Sequence, residues 1–222
     1  MAKKKNGGWS AWLQEMISRK SETKPYKWLF PAEIGMMLYG IFTLLLIAFT
    51  YTSIPDPEQL IWWRVRVMLL TVAMWIVYRL WTCRMIALAR VVLLFVTLGW
   101  WYPDTYLLNC HFDNLDHIFA AWDQYLFGFQ PALVWSKAFP SRIVSELMAM
   151  GYAFYFLMFA SLVFYIFFKR YNDFQKVAYI LVSSFFIYYV IFDLFPVAGP
   201  QYYYLAVGLD NIQAGHFPAV GT

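Results

Sequence analysis

Five apolar segments, at 34–52, 61–82, 85–101, 144–168 and 177–195, leave this chain few ways to fold. Each is close to the ~20 residues that cross ~30 Å of hydrocarbon. Lipid offers backbone amides no water, so each segment must satisfy its own amides as a helix. The expectation is an all-α polytopic transmembrane helical bundle, with five membrane-spanning helices and two interfacial amphipathic helices. Residues 1–30 form a basic, amphipathic N-terminal segment, and 31–222 form the transmembrane domain. Composition agrees, with 62% of the residues hydrophobic and only 14% charged, against about 25% in soluble domains. The basic start "MAKKKN" runs into the polar "SRKSETKPYK" rather than into the short apolar core of a cleavable signal, so the first apolar segment is expected to remain as an anchor.

Lys and Arg set the orientation. With the N-terminus in the cytoplasm, thirteen of the 17 basic residues fall inside and only Arg64, Arg66, Lys137 and Arg142 fall outside, as the positive-inside rule requires. Five crossings then deliver the C-terminal end to the extracytoplasmic face. Arg64, Arg66 and Arg79 lie near the ends of the second segment, and Arg90 lies a turn and a half into the third. All four are expected to snorkel towards headgroups. Cys83 falls inside and Cys110 outside, so no disulfide joins them. No nucleic-acid motif is present.

Residues 9–20, "WSAWLQEMISRK", place Trp9, Trp12, Leu13, Met16 and Ile17 on one helical face, the pattern of a helix lying at the interface. A second surface helix is expected within the long outer connection 102–143, in "DNLDHIFAAWDQYLFGFQP". Asp113 would cap it, Leu115, Ile118, Phe119, Trp122 and Leu126 would form its apolar stripe, and Gly128 and Pro131 would end it.

Ionisable groups at membrane depth are candidates for function. Glu146 opens the fourth segment and Asp193 closes the fifth, both at the outer boundary. For each the alternative is an interfacial carboxylate, in Glu146's case one paired with Arg142. After Asp193, "LFPVAGPQYYY" breaks the helix: Pro196 ends it, Gly199-Pro200 forces a turn, and Gln201 and the tyrosines supply polar handles. Non-helical backbone at this depth needs protein or a water-filled cavity over it. His111, His117 and His216 all fall outside, without metal-ligand spacing, so neither metal nor cofactor is expected.

Three stretches bear a family likeness. "WDQYLFGFQP" (122–131), "ELMAMGYAFYF" (146–156) and "LFPVAGPQYYY" (194–204) resemble, in order, spacing and membrane side, the type-two phosphatidic acid phosphatase superfamily, and within it the branch of inositol phosphorylceramide synthases and related bacterial membrane proteins. The resemblance implies a membrane-bound hydrolase or transferase of phospholipid metabolism. Such an enzyme is a lipid phosphatase or headgroup phosphotransferase, working at the outer face of the bacterial inner membrane by metal-free, cofactor-free histidine chemistry. It implies a membrane phospholipid or lipid phosphate as partner. Asp123, Glu146, Asp193, Gly199, Pro200, Gln201 and Tyr203 would line the substrate site.

The chain departs from the family where the chemistry should be. The "P-S-x-H", "R-x5-H-x3-D" and "K-x6-R-P" signatures are absent, and in "HFPAVGT" Ala219 and Gly221 stand where Ser and His would be. No residue here therefore takes a catalytic role. The chain reads as the N-terminal part of such an enzyme, inactive alone. The competing reading is a non-catalytic polytopic membrane protein, a binding or scaffold subunit. A transporter finds no support in an inverted repeat.

Overall fold

The computed structural model describes Gln14, residues 16–18, Glu22, residues 25–197 and Gly199. Among these the regular structure is entirely helical, and five helices are long and apolar enough to cross a membrane. α1 is Pro31–Phe49, α2 is Pro57–Leu80 and α3 is Arg84–Asn109. Two short helices follow, α4 (Asp116–Phe127) and α5 (Pro131–Ala138), and then the long α6 (Arg142–Lys169). A 3-10 turn at Tyr171–Asp173 leads into α7 (Phe174–Leu194).

Proline starts three of these helices, Pro31, Pro57 and Pro131 each standing at the first helical position. Its fixed φ suits that position, and its missing N–H would be unpaired there anyway. Gly128 stops α4 with φ +74°, the left-handed conformation that glycine adopts without strain. α4 begins later than its sequence suggested. Its start is not capped by Asp113; instead the backbone N–H of Asp116 donates to Asn114 Oδ1 at 2.7 Å. α5 was not expected.

α3 differs most from expectation. It continues eight residues beyond 101, through Pro103, to Asn109. A proline inside a helix removes one backbone bond, which in a soluble helix is often enough to end it. Here the neighbouring helices hold the far side of the proline in place. Trp101, Thr105 and Leu108 all face inward and are buried, and Thr105 Oγ1 donates to the Tyr102 carbonyl at 2.7 Å.

α7 is the central stave, packed against α1 on one side and α3 on the other, with α2 closing the group against α1 and α3. The core runs along α7 in two clusters, one around Phe30, Tyr78, Val91, Phe167 and Phe174, and one around Met36, Tyr39, Leu94, Trp101 and Phe186. A smaller cluster, Ile47, Ile54, Leu60 and Leu108, closes the end that carries the α1–α2 loop. α6 stands apart, packed chiefly against α7 and the 3-10 turn. Its Leu147, Phe154, Leu157 and Tyr165 are exposed. So much exposed apolar surface on a 28-residue helix is intelligible only where lipid is the solvent. The chain is an integral membrane protein.

Of the interfacial segment expected at 9–20, Gln14, Met16 and Ile17 are described and helical, Ser18 is a bend, and the other residues lie outside the described ones. Met16 is buried in the Phe30 cluster, and the indole N–H of Trp81 donates to the Ile17 carbonyl at 2.9 Å. The segment is thus docked on the bundle. Cys83 is buried, Cys110 is exposed and both are free.

Candidate functional site

The bundle has two ends. α1 and α7 finish, and α2 begins, at the end that carries α4 and α5, here the loop end. At that end four helices contribute to one buried polar cluster. Asp193, on the last turn of α7, is wholly buried and accepts a hydrogen bond from Tyr39 Oη at 3.0 Å. Tyr39 is fixed by aromatic neighbours. Its ring stacks on Phe186 at 5.0 Å and meets Trp101 at 5.7 Å and Tyr189 at 5.9 Å.

Arg64 of α2 is also wholly buried. Its Nε donates to Thr43 Oγ1 at 2.8 Å, and its Nη1 to the Leu60 carbonyl at 3.1 Å and to Asp104 Oδ2 at 3.2 Å. The guanidinium also lies 5.8 Å from the ring centre of Trp101. Arg64 therefore does not snorkel: a carboxylate on α3 meets it inside the bundle. Arg64 Nη2, Trp101 Nε1 and Asp193 Oδ1 are buried without a hydrogen-bond partner among the described residues. Buried polar atoms in this state are costly, so the cluster is an expensive piece of the fold.

The break after Asp193 is strapped to the start of α4. The Leu115 N–H donates to the Pro196 carbonyl at 2.9 Å, and the Gly199 N–H donates to Asp116 Oδ1 at 3.0 Å. Gly199 has φ +93°, which a side chain would resist. Asn109 Nδ2 adds a bond to the Phe192 carbonyl at 2.8 Å. Pro196 and Asp116 are both buried. Pro196 is thus enclosed by protein, while Phe195 and Val197 on either side of it stay exposed.

Beside this cluster, an apolar cleft of about 800 Å³ opens between α3, α6 and α7. Phe95, Tyr102, Tyr155, Phe159, Phe185 and Tyr189 are among its walls. Tyr189 belongs to both places, lining the cleft and facing Tyr39, and its hydroxyl donates to the Leu98 carbonyl at 3.0 Å.

Of the residues singled out from sequence, Asp193 belongs to the buried cluster and Gly199 to the turn strapped to α4. Glu146 goes elsewhere. It accepts from Arg142 Nε at 2.8 Å in a solvent-facing pair one turn apart, the alternative its position allowed. Asp123 sits half-exposed on α4. Pro200, Gln201 and Tyr203 lie outside the described residues. Among the described residues His117 bonds within its own turn, Nδ1 lying 3.1 Å from the Asn114 carbonyl, and His111 Nε2 lies 3.6 Å from Cys110 Sγ. Among the described residues no group of acids, histidines and cysteines is arranged to hold a metal.

The opposite end holds a second buried ion pair that sequence reasoning missed. Arg90 donates to Glu33 through Nε at 2.7 Å and again through Nη2, and Glu33 also accepts from the Phe30 N–H at 2.7 Å. The Arg90 guanidinium lies 3.5 Å from the ring centre of Phe30 and 4.8 Å from that of Tyr78. Arg90, too, is enclosed rather than snorkelling. Tyr78 in turn donates its hydroxyl to Glu22 in the N-terminal segment, and burial pushes the Glu22 carboxyl above the usual carboxylate range.

The chain matches no protein-family model, no curated protein and no solved structure.

Proposed function

We propose that this chain is the lipid-recognising part of a membrane lipid phosphatase or phospholipid headgroup phosphotransferase. The site lies at the loop end, taken as the extracytoplasmic face of a bacterial inner membrane with the N-terminus in the cytoplasm. The observation that carries the reading is adjacency. An apolar cleft between α3, α6 and α7 shares Tyr189 with the wall that fixes Tyr39 and Asp193, and the strapped turn follows Asp193 in the chain. A laterally open cleft of that size and lining suits the hydrocarbon part of a lipid. The turn after Asp193, which Gln201 and Tyr203 follow in sequence, suits the wall of a headgroup site. The positive-inside count supports the orientation, and the three sequence stretches support the reaction class. Arg64, Asp104, Tyr39 and Asp193 act in this reading as positioning residues, and no described residue takes a covalent role.

A second reading is favoured by one observation: neither described histidine reaches the cluster. In that reading the chain binds lipid as a non-catalytic subunit or scaffold. The two separate in membranes from cells lacking the gene and cells re-expressing its full open reading frame, assayed for turnover of phosphatidate, diacylglycerol pyrophosphate and inositol-containing phospholipids. Turnover that follows the chain supports the first reading. Turnover indifferent to it overturns that reading and leaves the second.

A further inference from the structure

A different depression, of about 900 Å³, lies at the loop end where α1 turns into α2, lined in part by Tyr51, Asp56, Glu58, Trp62, Trp63 and Arg66. Its chemistry is ordered along α2. Glu58, Trp62 and Arg66 follow one another at four-residue spacing, so a carboxylate, an indole and a guanidinium succeed each other down neighbouring turns. Asp56 precedes them in the left-handed conformation, φ 49° and ψ 52°, a backbone that aspartate tolerates better than most residues. Two neighbours brace the set. Tyr51 Oη lies 3.4 Å from Glu58 Oε1. The Arg66 guanidinium lies 5.3 Å from the Trp63 ring, which itself packs at 4.9 Å on Trp100 of α3.

The acids stand at the mouth of the helix, and Arg66 stands nine residues in, roughly 13 Å along the axis. α2 crosses the bilayer, so this is also an order in depth: negative outermost, aromatic next, positive nearest the hydrocarbon. A purely anionic headgroup would meet two carboxylates. A simple cation would meet Arg66. A headgroup with phosphate beneath and ammonium above meets a partner at each level, the phosphate on Arg66 and the ammonium between the indole face and the acids. We infer that this depression binds a phosphoammonium group, the headgroup of phosphatidylethanolamine or phosphatidylcholine. This site is separate from the Asp193 cluster and does not depend on the reaction proposed above.

The test is native mass spectrometry of the full chain in detergent, supplied with equimolar phosphatidylethanolamine and phosphatidylglycerol. Ethanolamine lipid is expected to be retained over glycerol lipid by on the order of tenfold. Glu58→Gln together with Asp56→Asn is expected to level that ratio, and Arg66→Gln to lower retention of both lipids. These positions are exposed, so thermal melting is expected to stay unchanged. If a charge variant does not fold, Trp62→Leu leaves every charge in place, and it is expected to reduce the ethanolamine preference. Millimolar free phosphoethanolamine identifies the source. Displacement of the lipid means that the group is recognised without its tails, and retention means that the group is bound as a lipid; both support the assignment. Equal retention of the two lipids by the unmodified protein would overturn it, as would a preference indifferent to these substitutions.

Discussion

Arg90 and Glu33, both wholly buried and on different helices, bond through Arg90 Nε and Glu33 Oε1 at 2.7 Å, with a second contact through Nη2. The pair ties α3 to the first turn of α1. The bond satisfies two charges that lipid would otherwise penalise, so breaking it on one side is costly. Glu33→Ala is expected to destabilise the protein by about 3–5 kcal/mol, because it leaves an enclosed guanidinium unpaired. Replacing both residues, with Glu33→Leu and Arg90→Met, is expected to recover much of the loss. Thermal melts in detergent measure both. A single-variant loss below about 1 kcal/mol would place the pair among those contributing little.

Tyr39→Phe removes only a hydroxyl, but it is the one that Asp193 accepts from. The aromatic packing around the ring survives, while the buried carboxyl loses the one hydrogen bond it has among the described residues. A loss of about 1–3 kcal/mol is expected. On the proposed function, chain-dependent lipid turnover falls with it. Asp193→Leu in the Tyr39→Phe background is expected to restore melting but not turnover.

The strap on the turn has its own readout. Asp116→Ala removes the acceptor for the Gly199 N–H, a bond to a charged group worth about 1.5–3 kcal/mol. Faster amide exchange across 195–199 is expected, with α1 and α3 unaffected. Asp116→Asn keeps an acceptor and is expected to retain most of the protection. Equal exchange in all three proteins would count against the strap.

The docked N-terminal segment is expected to respond to pH. Burial raises the Glu22 carboxyl above its ordinary value, so the folded state favours the protonated form. The stabilisation is therefore fully present below the ordinary carboxylate value of about 4.3, and it is lost as pH rises through the higher folded value. Proteolysis within residues 14–22 should accelerate as pH climbs across that window. Glu22→Gln should flatten the profile. A wild-type rate that falls with rising pH would reverse the sign and sink the assignment.

Gly99 faces the cleft from α3, and a Cβ added there would meet nothing within 4 Å. Gly99→Ala is expected to stabilise α3 by about 0.5–1 kcal/mol. Gly99→Phe is expected to fill the cleft and reduce co-purifying lipid without lowering the melting temperature. Unchanged lipid content in the Phe variant would remove the cleft as a lipid site.

Much of this fold was legible in the sequence, because hydropathy and the need for internal backbone pairing leave little choice in lipid. The five spans were placed within a few residues at most ends. Asp193 stood out because a charge beside a proline break is rare at that depth. What stayed hidden was pairing across helices. A lone arginine near a helix end looks the same whether it rises to the headgroups or turns inward to an acid, and Arg64 and Arg90 both turn inward. Glu33 stood just before the first expected segment, at 34–52, whereas it lies in the first turn of α1. Asp104 was lost because the third segment was bounded at 101, where its apolar run ends, whereas tertiary packing carries α3 on to Asn109. Asp116 fell on the polar face of a surface helix, and nothing local reveals that it reaches the 195–199 turn.

α6 has a consequence for the membrane around it. Its uncharged stretch, residues 147–168, reaches about 33 Å at 1.5 Å per residue, against roughly 30 Å of hydrocarbon. The mismatch is relieved by tilt, and a helix held chiefly on one side by α7 is free to lean where its better-packed neighbours are not. A thick bilayer stands it upright, while a thin one lays it over. Because α6 is one wall of the aromatic cleft, a bilayer thin enough to tilt it is expected to change how widely that cleft gapes.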